Sequence, residues 1–401
     1  MLGKIAILIV ASAVAPVPVA EEPLSLEQAI SIASSANRSL VAAKLGREVS
    51  QAEIDIAGQR LNPEFTFESA RETPHESYAF AVPIEIGGKR KHRLEVSKAA
   101  AGGDEAEITR LIQQTRVNVR RAYFTLSAAQ RRVKEMEEVL GLAQRTSDAA
   151  SGRFESGAAP RLEPLQAKLN FEQTNNDLGA ARAALASARI DLNTLLARSP
   201  DAPTTAAEDL DAGGVPESPH ALDLAMTGST ELSVIDRRIA EEQARVGLAR
   251  AERVPDLVLQ GAVTRRSPPE FDTGWRAGFS IGLPLLNRHK GEIRLEEGTL
   301  AQLQAEREAL IAQIRGSVSA ALVVAAGQRE QLARYRDQIL PEAAEVQEMA
   351  AESYRAGQTG LVTMLQAFAS VRDIRLKAVQ AGLDYQIALA DLELAIGAPL
   401  P

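Results

Sequence analysis

The sequence contains no cysteine, and only 4% of its 401 residues are aromatic. Without cysteine, neither a disulfide nor a lipid anchor on an amino-terminal cysteine can form. Few aromatic side chains are available for a bulky globular core, and the abundant alanine, leucine, glutamate, arginine and glutamine are typical of long helices and coiled coils. The net charge of −8, with both signs interspersed, gives no sign of the basic surface that a nucleic-acid-binding protein needs.

The first 20 residues are expected to be a secretory signal peptide. Lys4 provides a short basic region, residues 5–15 form an apolar run, and small residues follow. Cleavage is expected after Ala15, which fits an Ala-x-Ala pattern, or after Ala20. The apolar run is shorter than the roughly 18 residues of a membrane-spanning helix, which disfavours a retained anchor. No comparable apolar stretch follows, so we expect an exported protein without a transmembrane helix.

The rest of the chain is duplicated. Arg-Phe-Glu-Ser-Gly ends at Gly157, and Ser-Tyr-Arg-Ala-Gly ends at Gly357, which sets the offset at 200 residues. Upstream, with small changes of offset, the equivalent segments are Asn62-Pro63-Glu64 with Val254-Pro255-Asp256, and Val82-Pro83-Ile84 with Leu283-Pro284-Leu285. Solenoid repeats run about 20–50 residues, so this longer period indicates one duplicated domain.

Each copy is predicted to contain a helix, two short strands, a very long helix, a turn and another long helix. Residues 199–219 are rich in proline, glycine, threonine and aspartate and are interpreted as a linker. In repeat 1, residues 21–198, the predicted elements are a first helix to about Arg60, strands at 64–70 and 78–85, and helices at 94–150 and 161–197. In repeat 2, residues 220–401, they are a first helix at about 219–252, strands at 256–264 and 275–283, and helices at 291–354 and 360–396.

The long helices are predicted to form coiled coils. No proline occurs between Pro83 and Pro160, and within that window apolar residues recur at alternating spacings of four and three. Many of these positions hold alanine, which suits a helix packed on neighbours at both sides. The alternative, a free two-stranded coiled coil, would favour more leucine and isoleucine. Pro341 predicts a kink in the long helix of repeat 2.

The strands carry large apolar residues at every second position, including Phe65 and Phe67 in repeat 1 and Trp275 and Phe279 in repeat 2. An aromatic face with period two is typical of outer-membrane strands, although four half-buried strands in a soluble domain would look similar. Open strand edges do not occur in hydrocarbon, and the smallest membrane barrel has about eight strands. Transmembrane strands in this chain would therefore have to share one barrel with other copies.

Together these features resemble the TolC-type outer membrane efflux proteins, also called outer membrane factors. The segments that carry the resemblance are Leu26-Glu27-Gln28-Ala29, Asn62-Pro63-Glu64, residues 83–90, and the turn motifs at 154–167 and 354–367. The resemblance implies a mainly α fold with a small β part. It implies a homotrimeric α-helical barrel joined to a 12-stranded transmembrane β-barrel, with four strands from each chain. It also implies a location in the outer membrane of a Gram-negative bacterium, extending into the periplasm.

The function that the resemblance implies is passive conduction. A periplasmic adaptor (membrane fusion protein) and an inner-membrane pump of the resistance–nodulation–division type would deliver substrate to this duct. The Ile-Glu-Ile-Gly-Gly-Lys-Arg run, 84–90, is most similar to the branch paired with heavy-metal pumps, which implies heavy-metal cations or small toxic compounds as substrates. The alternatives are a type I secretion or multidrug duct, a periplasmic adaptor, which should show a single hairpin, and a coiled-coil scaffold.

No catalytic or cofactor-binding pattern is found. The four histidines and the acidic residues lack metal-ligand spacing, and Gly87-Gly88-Lys89 lacks the spacing of a phosphate-binding loop. We therefore predict a protein that is not an enzyme, that has no cofactor, and that does not bind nucleic acid.

The two turn motifs match the periplasmic tips, where the adaptor docks in the family. The alternative is that glycine merely permits the turn and that the apolar residues pack the coiled coil. The predicted docking residues are Phe154, Gly157, Ala158, Leu162, Leu165, Tyr354, Gly357, Gly360, Leu361, Val362 and Leu365.

A gate at the same tips is implied by the family, in which a tyrosine and an arginine set against an aspartate latch the closed state. Tyr354 matches the tyrosine and Glu163 the aspartate, but Thr359 stands at the arginine position. We therefore expect a closed state held by hydrogen bonds only. The family's ring of gate aspartates falls on threonine and glutamine, which argues against an acidic constriction. The predicted gate residues are Glu163, Gln166, Tyr354, Thr359, Thr363 and Gln366.

A third predicted group is basic and follows the strands. These residues would meet anionic lipid headgroups where the chain leaves the outer membrane, or form a solvated charge run. They are Lys89, Arg90, Lys91, Arg93, Arg288 and Lys290.

Overall fold

A computed structural model describes residues 23–72, 74–267 and 271–400. The predicted signal peptide lies outside the described residues. The helices are α1 (Leu26–Ala36), α2 (Arg38–Ala57), α3 (Lys89–Glu155), α4 (Leu162–Leu195), α5 (Ser218–Gly228), α6 (Thr230–Ala251), α7 (Lys290–Arg334), α8 (Leu340–Arg355) and α9 (Leu361–Ile396). The strands are β1 (Glu64–Ser69), β2 (Glu76–Ile84), β3 (Leu257–Ser267) and β4 (Phe271–Ile281). The predicted fold class, mainly helical with a small β part of four strands, is confirmed.

Each first helix of the prediction is divided in two by a capping residue. The side-chain oxygen of Asn37 accepts hydrogen bonds from the Ser39 and Leu40 amides, so α1 ends and α2 begins there. Ser229 caps α6 in the same way by accepting from the Leu232 amide. A short polar side chain can accept hydrogen bonds from the first free amides of a helix. One helix can therefore end and the next begin at such a residue even where the apolar pattern continues. Ser25 caps α1: its side chain accepts from the Gln28 amide, and the Gln28 side chain accepts from the Ser25 amide.

The predicted kink before Pro341 takes the form of a π-helical turn. Residues Tyr335–Ile339 form this turn between α7 and α8, and Pro341 lies in the first turn of α8. Proline has no amide hydrogen and its ring clashes with the preceding turn, so a wider turn on its amino-terminal side relieves the mismatch.

The four strands form one antiparallel sheet in the order β1-β2-β3-β4. Its register pairs Phe67 with Tyr78, Tyr78 with Val263, and Val263 with Trp275, so all four side chains lie on one face. Eight further large apolar residues lie on the same face: Phe65, Phe80, Val82, Ile84, Leu257, Leu259, Phe279 and Ile281. This face is largely uncovered, since Trp275 is 80% exposed.

The helices pack side by side, with α3 as the central element in contact with α2, α4, α6 and α9. The predicted linker is packed against this layer. The Gln386 amide nitrogen on α9 donates to the carbonyl oxygens of Leu210 and Ala212, at 3.0 and 2.7 Å. The Tyr385 hydroxyl donates to the Gly213 carbonyl oxygen over 2.9 Å. These contacts join the two repeats around the middle of the protomer.

One helical stretch in the described residues, Lys290–Arg355, is long and apolar enough to cross a membrane by composition alone. Its most apolar 18-residue window has a mean hydropathy of 1.7, and 22% of that window is buried in the protomer. By this composition measure, the expectation that no such apolar stretch follows the signal peptide was wrong, because the few polar residues within the run leave its mean hydropathy high. The low burial leaves apolar surface on this stretch for contact with another molecule.

Candidate functional site

The two predicted tips are tight turns built in the same way. Gly157 and Gly357 have φ angles of 75° and 73°, in the left-handed region that favours glycine. In each turn the residue after the glycine donates its amide to the end of the preceding helix: Ala158 to Arg153 over 2.8 Å, and Gln358 to Ser353 over 2.9 Å. Glycine ends the helix at each tip, as the sequence predicts.

The predicted docking residues divide into exposed and buried groups. Tyr354 and Leu361 are 4% and 2% exposed and pack with Met364 in a cluster between the two hairpins. In this arrangement both side chains pack between helices, as in the alternative that the apolar residues pack the coiled coil. Leu365 packs against the same cluster. The exposed candidates are Phe154, Gly157, Ala158, Leu162, Gly357, Gly360 and Val362, together with Leu165.

Tyr354 and Glu163 are in contact across the two hairpins. The Tyr354 hydroxyl on α8 donates to Oε2 of Glu163 on α4, over 3.2 Å. Arg153, in the last turn of α3, joins them. Its guanidinium lies 4.9 Å from the centre of the Tyr354 ring, and its Nε lies 3.9 Å from the Glu163 carboxylate. Arg153 also donates to the Tyr354 carbonyl oxygen over 3.4 Å.

Arg153 corrects the expectation that only hydrogen bonds hold this contact. The cation comes from α3 instead of from the position of Thr359, and it attracts both the carboxylate and the face of the ring. Sequence reasoning missed it, although Arg153 stands directly before the predicted tip residue Phe154. The missing information was the distance between the two hairpins, which no local pattern encodes.

The environment of Tyr354 keeps its hydroxyl protonated. Burial raises the pKa of Tyr354 because the phenolate loses hydration, and the nearby Glu163 carboxylate raises it further by repulsion and by accepting the hydrogen bond. Arg153 opposes this shift. The tyrosine is therefore a hydrogen-bond donor throughout the neutral pH range.

The other predicted gate residues are polar but uncharged. The Thr359 hydroxyl is buried without a hydrogen-bond partner, whereas Thr363 and Gln366 are exposed and Gln166 is half-buried. Across the described ranges, no group of three or more histidine, aspartate or glutamate side chains could hold a metal ion.

Further from the tip, two arginines of α9 connect the hairpins. Arg372 lies 3.6 Å from Asp177 on α4. Arg375 lies 3.5 Å from Glu135 and 3.3 Å from Glu138, both on α3. The contact at the tip is thus the last of several ionic contacts between α9 or α8 and the α3–α4 hairpin.

The predicted basic group is divided by the fold. Lys89 pairs with Asp256 over 2.8 Å, Arg93 pairs with Glu85, and Arg90 donates to the Gly58 carbonyl oxygen. These three basic residues of repeat 1 thus make contacts within the protomer next to the sheet. They do not form a solvated charge run. Lys91 is largely exposed and lies 3.7 Å from Glu95. Arg288 and Lys290 of repeat 2 have no ionic partner within the described part of the chain.

Sequence comparison matches residues 29–198 and 221–398 to the family described as outer membrane efflux protein. The cobalt-zinc-cadmium resistance protein CzcC of Cupriavidus metallidurans is 26% identical over 376 residues, covering 91% of this chain and 88% of CzcC. The nickel-cobalt-cadmium resistance protein NccC of Alcaligenes xylosoxydans xylosoxydans is 29% identical over 236 residues, covering 57% of this chain and 52% of NccC.

Solved structures share the fold at low sequence identity. CusC, described with conformational changes accompanying folding and transmembrane channel formation, superposes with a TM-score of 0.78 at 18% identity, covering 93% of this chain and 92% of CusC. The Campylobacter jejuni CmeC outer membrane channel superposes with a TM-score of 0.78 at 17% identity, covering 93% of this chain and 85% of CmeC. The open state of the Neisseria gonorrhoeae MtrE outer membrane channel gives 0.76 at 20% identity, with 93% and 89% covered.

Proposed function

Because this chain belongs to the outer membrane efflux protein family, in its heavy-metal branch, we propose that it is the exit duct of a tripartite efflux system. Its location is the outer membrane of a Gram-negative bacterium, with the helices in the periplasm. The duct conducts substrate passively from an inner-membrane pump of the resistance–nodulation–division type and its periplasmic adaptor to the exterior. We propose heavy-metal cations as substrates, supported by the relatives CzcC and NccC, whose names describe metal resistance.

The observation that carries this proposal is the four-stranded sheet with one continuous apolar face. Its two outer strands, β1 and β4, each have a partner on one side only among the described residues. Unpaired backbone groups cost several kcal/mol each in hydrocarbon, so a lipid-exposed sheet must close. Four strands are too few to close alone. Three copies, with β4 of each paired to β1 of the next, make a closed barrel of 12 strands.

The helical part supports the same assembly. On α2, the apolar residues Leu45, Val49 and Ile56 are 58%, 60% and 63% exposed and lie on one face. On α7, Val323 is 73% exposed. Apolar helix faces that are uncovered in a protomer indicate a protein contact, and a ring of three copies supplies it.

At the periplasmic end, we propose that the exposed tip residues dock the adaptor, and that Glu163, Tyr354 and Arg153 hold the closed gate. The tips are backbone turns with small or apolar surface, which suits contact with another helical hairpin. The gate residues bridge the two hairpins whose separation would widen the opening.

Two measurements test the proposal. The native mass of protein extracted from outer membranes is expected to be three times that of the mature chain, and a monomer would contradict the shared barrel. A strain lacking the gene is expected to become sensitive to cobalt, zinc and cadmium salts and to recover with the gene on a plasmid. Sensitivity to organic toxicants alone, or loss of a secreted protein, would instead favour a multidrug or type I secretion duct.

A further inference from the structure

We infer that neighbouring copies are joined below the barrel by a salt bridge between Lys290 of one protomer and Glu64 of the next, with α7 of the first packed along α2 of the second. This inference rests on the proposed trimeric duct and specifies the contact that closes it. It follows from the salt bridge between Lys89 and Asp256, which is the equivalent contact within each chain.

The starting point is the equivalence of the two helix starts. α3 begins at Lys89 after Gly88, and α7 begins at Lys290 after His289. Gly88 and His289 both adopt the left-handed conformation, with φ angles of 76° and 51°. A left-handed φ is uncommon outside glycine, so its recurrence directly before each helix aligns the two helix starts. Lys290 is therefore the structural equivalent of Lys89.

Inside the chain, Lys89 forms a salt bridge across the boundary between the repeats. Its Nζ lies 2.8 Å from the Asp256 carboxylate, and the Lys89 side chain is only 13% exposed. Lys89 follows β2 and Asp256 precedes β3, the two strands that pair where repeat 1 meets repeat 2. The salt bridge thus fastens the helical layer directly below the paired strands.

The same two chemical groups are present, unpaired, at the outer edges. Glu64 follows Pro63 as Asp256 follows Pro255, and Glu64 begins β1, one free edge of the sheet. Lys290 follows β4, the other free edge. Neither side chain has an ionic partner in the described residues. When β4 pairs with β1 of the next copy, Lys290 faces that copy's Glu64 as Lys89 faces Asp256.

The helices next to these residues repeat the relationship. Within the chain, α3 packs along α6, with His92 over Gly247 and Arg237 over Gly102. The equivalents of α3 and α6 are α7 and α2, which do not pack together in the described protomer. Leu45 on α2 stands at the position of Arg237 when Pro63 and Pro255 are aligned, so the uncovered apolar face of α2 is the equivalent of the face that α6 turns toward α3.

One detail of the internal contact is not duplicated. Gly87, with φ of 79°, lies so close to Val254 that an added Cβ would stand 2.7 Å from the valine Cβ. Arg288 and Asn62 occupy the equivalent positions. The close backbone approach therefore belongs to the internal boundary, and the contact between copies depends on the ion pair and the helix faces.

The natural absence of cysteine allows a direct cross-linking test in the full-length protein in outer membranes. The double variant Lys290→Cys, Glu64→Cys is treated with a bifunctional maleimide that spans roughly 10 Å, because an ion pair separates Cα atoms beyond the disulfide range of about 4.4–6.8 Å. We expect dimers and trimers on a denaturing gel. The matched control, Lys89→Cys with Asp256→Cys, should cross-link within one chain and migrate as a monomer.

Charge reversal tests the ion pair separately from its placement. Lys290→Glu and Glu64→Lys should each lower the temperature at which the detergent-extracted trimer dissociates, because each places like charges together at three boundaries. The double reversal should restore most of that loss, and simple additivity of the two losses would overturn the salt bridge. A trimer without cross-links between chains would overturn this inference and leave the duct intact. A monomer in the native membrane extract would overturn both.

Discussion

The Tyr354 hydroxyl donates a hydrogen bond to Glu163 across 3.2 Å, and the two residues belong to different helical hairpins. Tyr354 lies in the last turn of α8, and Glu163 lies in the first turn of α4. Any outward movement of the α8–α9 hairpin from the α3–α4 hairpin must break this bond. Under the proposed gating role, the pair reports whether the periplasmic end is closed.

Removing the carboxylate is expected to open the duct. Glu163→Ala deletes the acceptor for Tyr354 and the anion for Arg153, so single-channel conductance in planar bilayers should rise. The Glu163→Gln variant is the matched control. It retains an acceptor oxygen but loses the charge, and we expect an intermediate conductance. A conductance unchanged in Glu163→Ala would remove Glu163 from the latch.

Arg153 is expected to contribute beyond the hydrogen bond, since it contacts both partners. Arg153→Ala should raise conductance, and Arg153→Lys should raise it less, because lysine keeps the charge but not the planar contact with the ring. Combining Arg153→Ala with Glu163→Ala should add less than the sum of the single effects, because the residues act on one contact. Full additivity would show that Arg153 acts elsewhere.

The tip residues are expected to be needed for transport but not for assembly. Leu162→Asp and Val362→Asp place a charge on side chains that are 60% and 49% exposed, so the trimer should persist while a docking surface is disrupted. Metal resistance in the complemented deletion strain should fall. Leu169→Asp is a control on α4 of similar exposure, at 68%, two helical turns from the tip. Equal loss of resistance in this control would argue against a docking role for the tip.

A buried carboxylate away from the tip predicts a pH dependence of stability. Glu242 on α6 is 7% exposed, and its Oε1 has no hydrogen-bond partner. Burial, together with hydrogen bonding and repulsion from Glu296 on α7 and a small contribution from Glu241, raises the pKa of Glu242 from 4.5 to about 7. Arg245 opposes the shift. The folded protein thus binds this proton more tightly than the unfolded chain does.

The direction of the pH dependence follows from this difference in proton affinity. The stabilisation is fully present below about pH 4.5 and is lost as the pH rises through about 7, with an upper limit on the order of 3 kcal/mol. Glu242→Gln, which is neutral at every pH, should reduce this dependence and unfold at a higher temperature than the natural protein above pH 7. The unfolding temperature is measured in detergent from the loss of the far-ultraviolet circular dichroism signal of the helices. Identical pH profiles for the two proteins would exclude Glu242 as the titrating group.

Local patterns identified most elements of this fold. Period-two alternation marked the strands at Phe65 and Trp275, and the absence of proline between Pro83 and Pro160 marked the long helix. These signals are local because backbone geometry alone sets the repeat of a strand or helix. The divisions at Asn37 and Ser229 were missed, since a capping side chain can interrupt a helix without interrupting its apolar pattern.

The candidate site was recoverable only in part. Glu163 and Tyr354 were identified through the resemblance, whereas Arg153 was missed, and the burial of the docking candidate Leu361, which is 2% exposed, was not predicted. Both points concern which hairpin lies next to which residue. Distances between segments 200 residues apart are set by packing, and no window along the chain contains them.

The sequence by itself determined that the chain is a duplication, where its long helices turn, and that its strands have one apolar face. These properties follow from residue type and spacing along a continuous backbone. Only the tertiary structure decided that the register aligns the apolar faces of all four strands, that Arg153 lies near Glu163, and that Lys89 pairs with Asp256 while Lys290 has no ionic partner among the described residues. Such relationships depend on contacts between distant segments, and those contacts exist only once the helices and strands have packed.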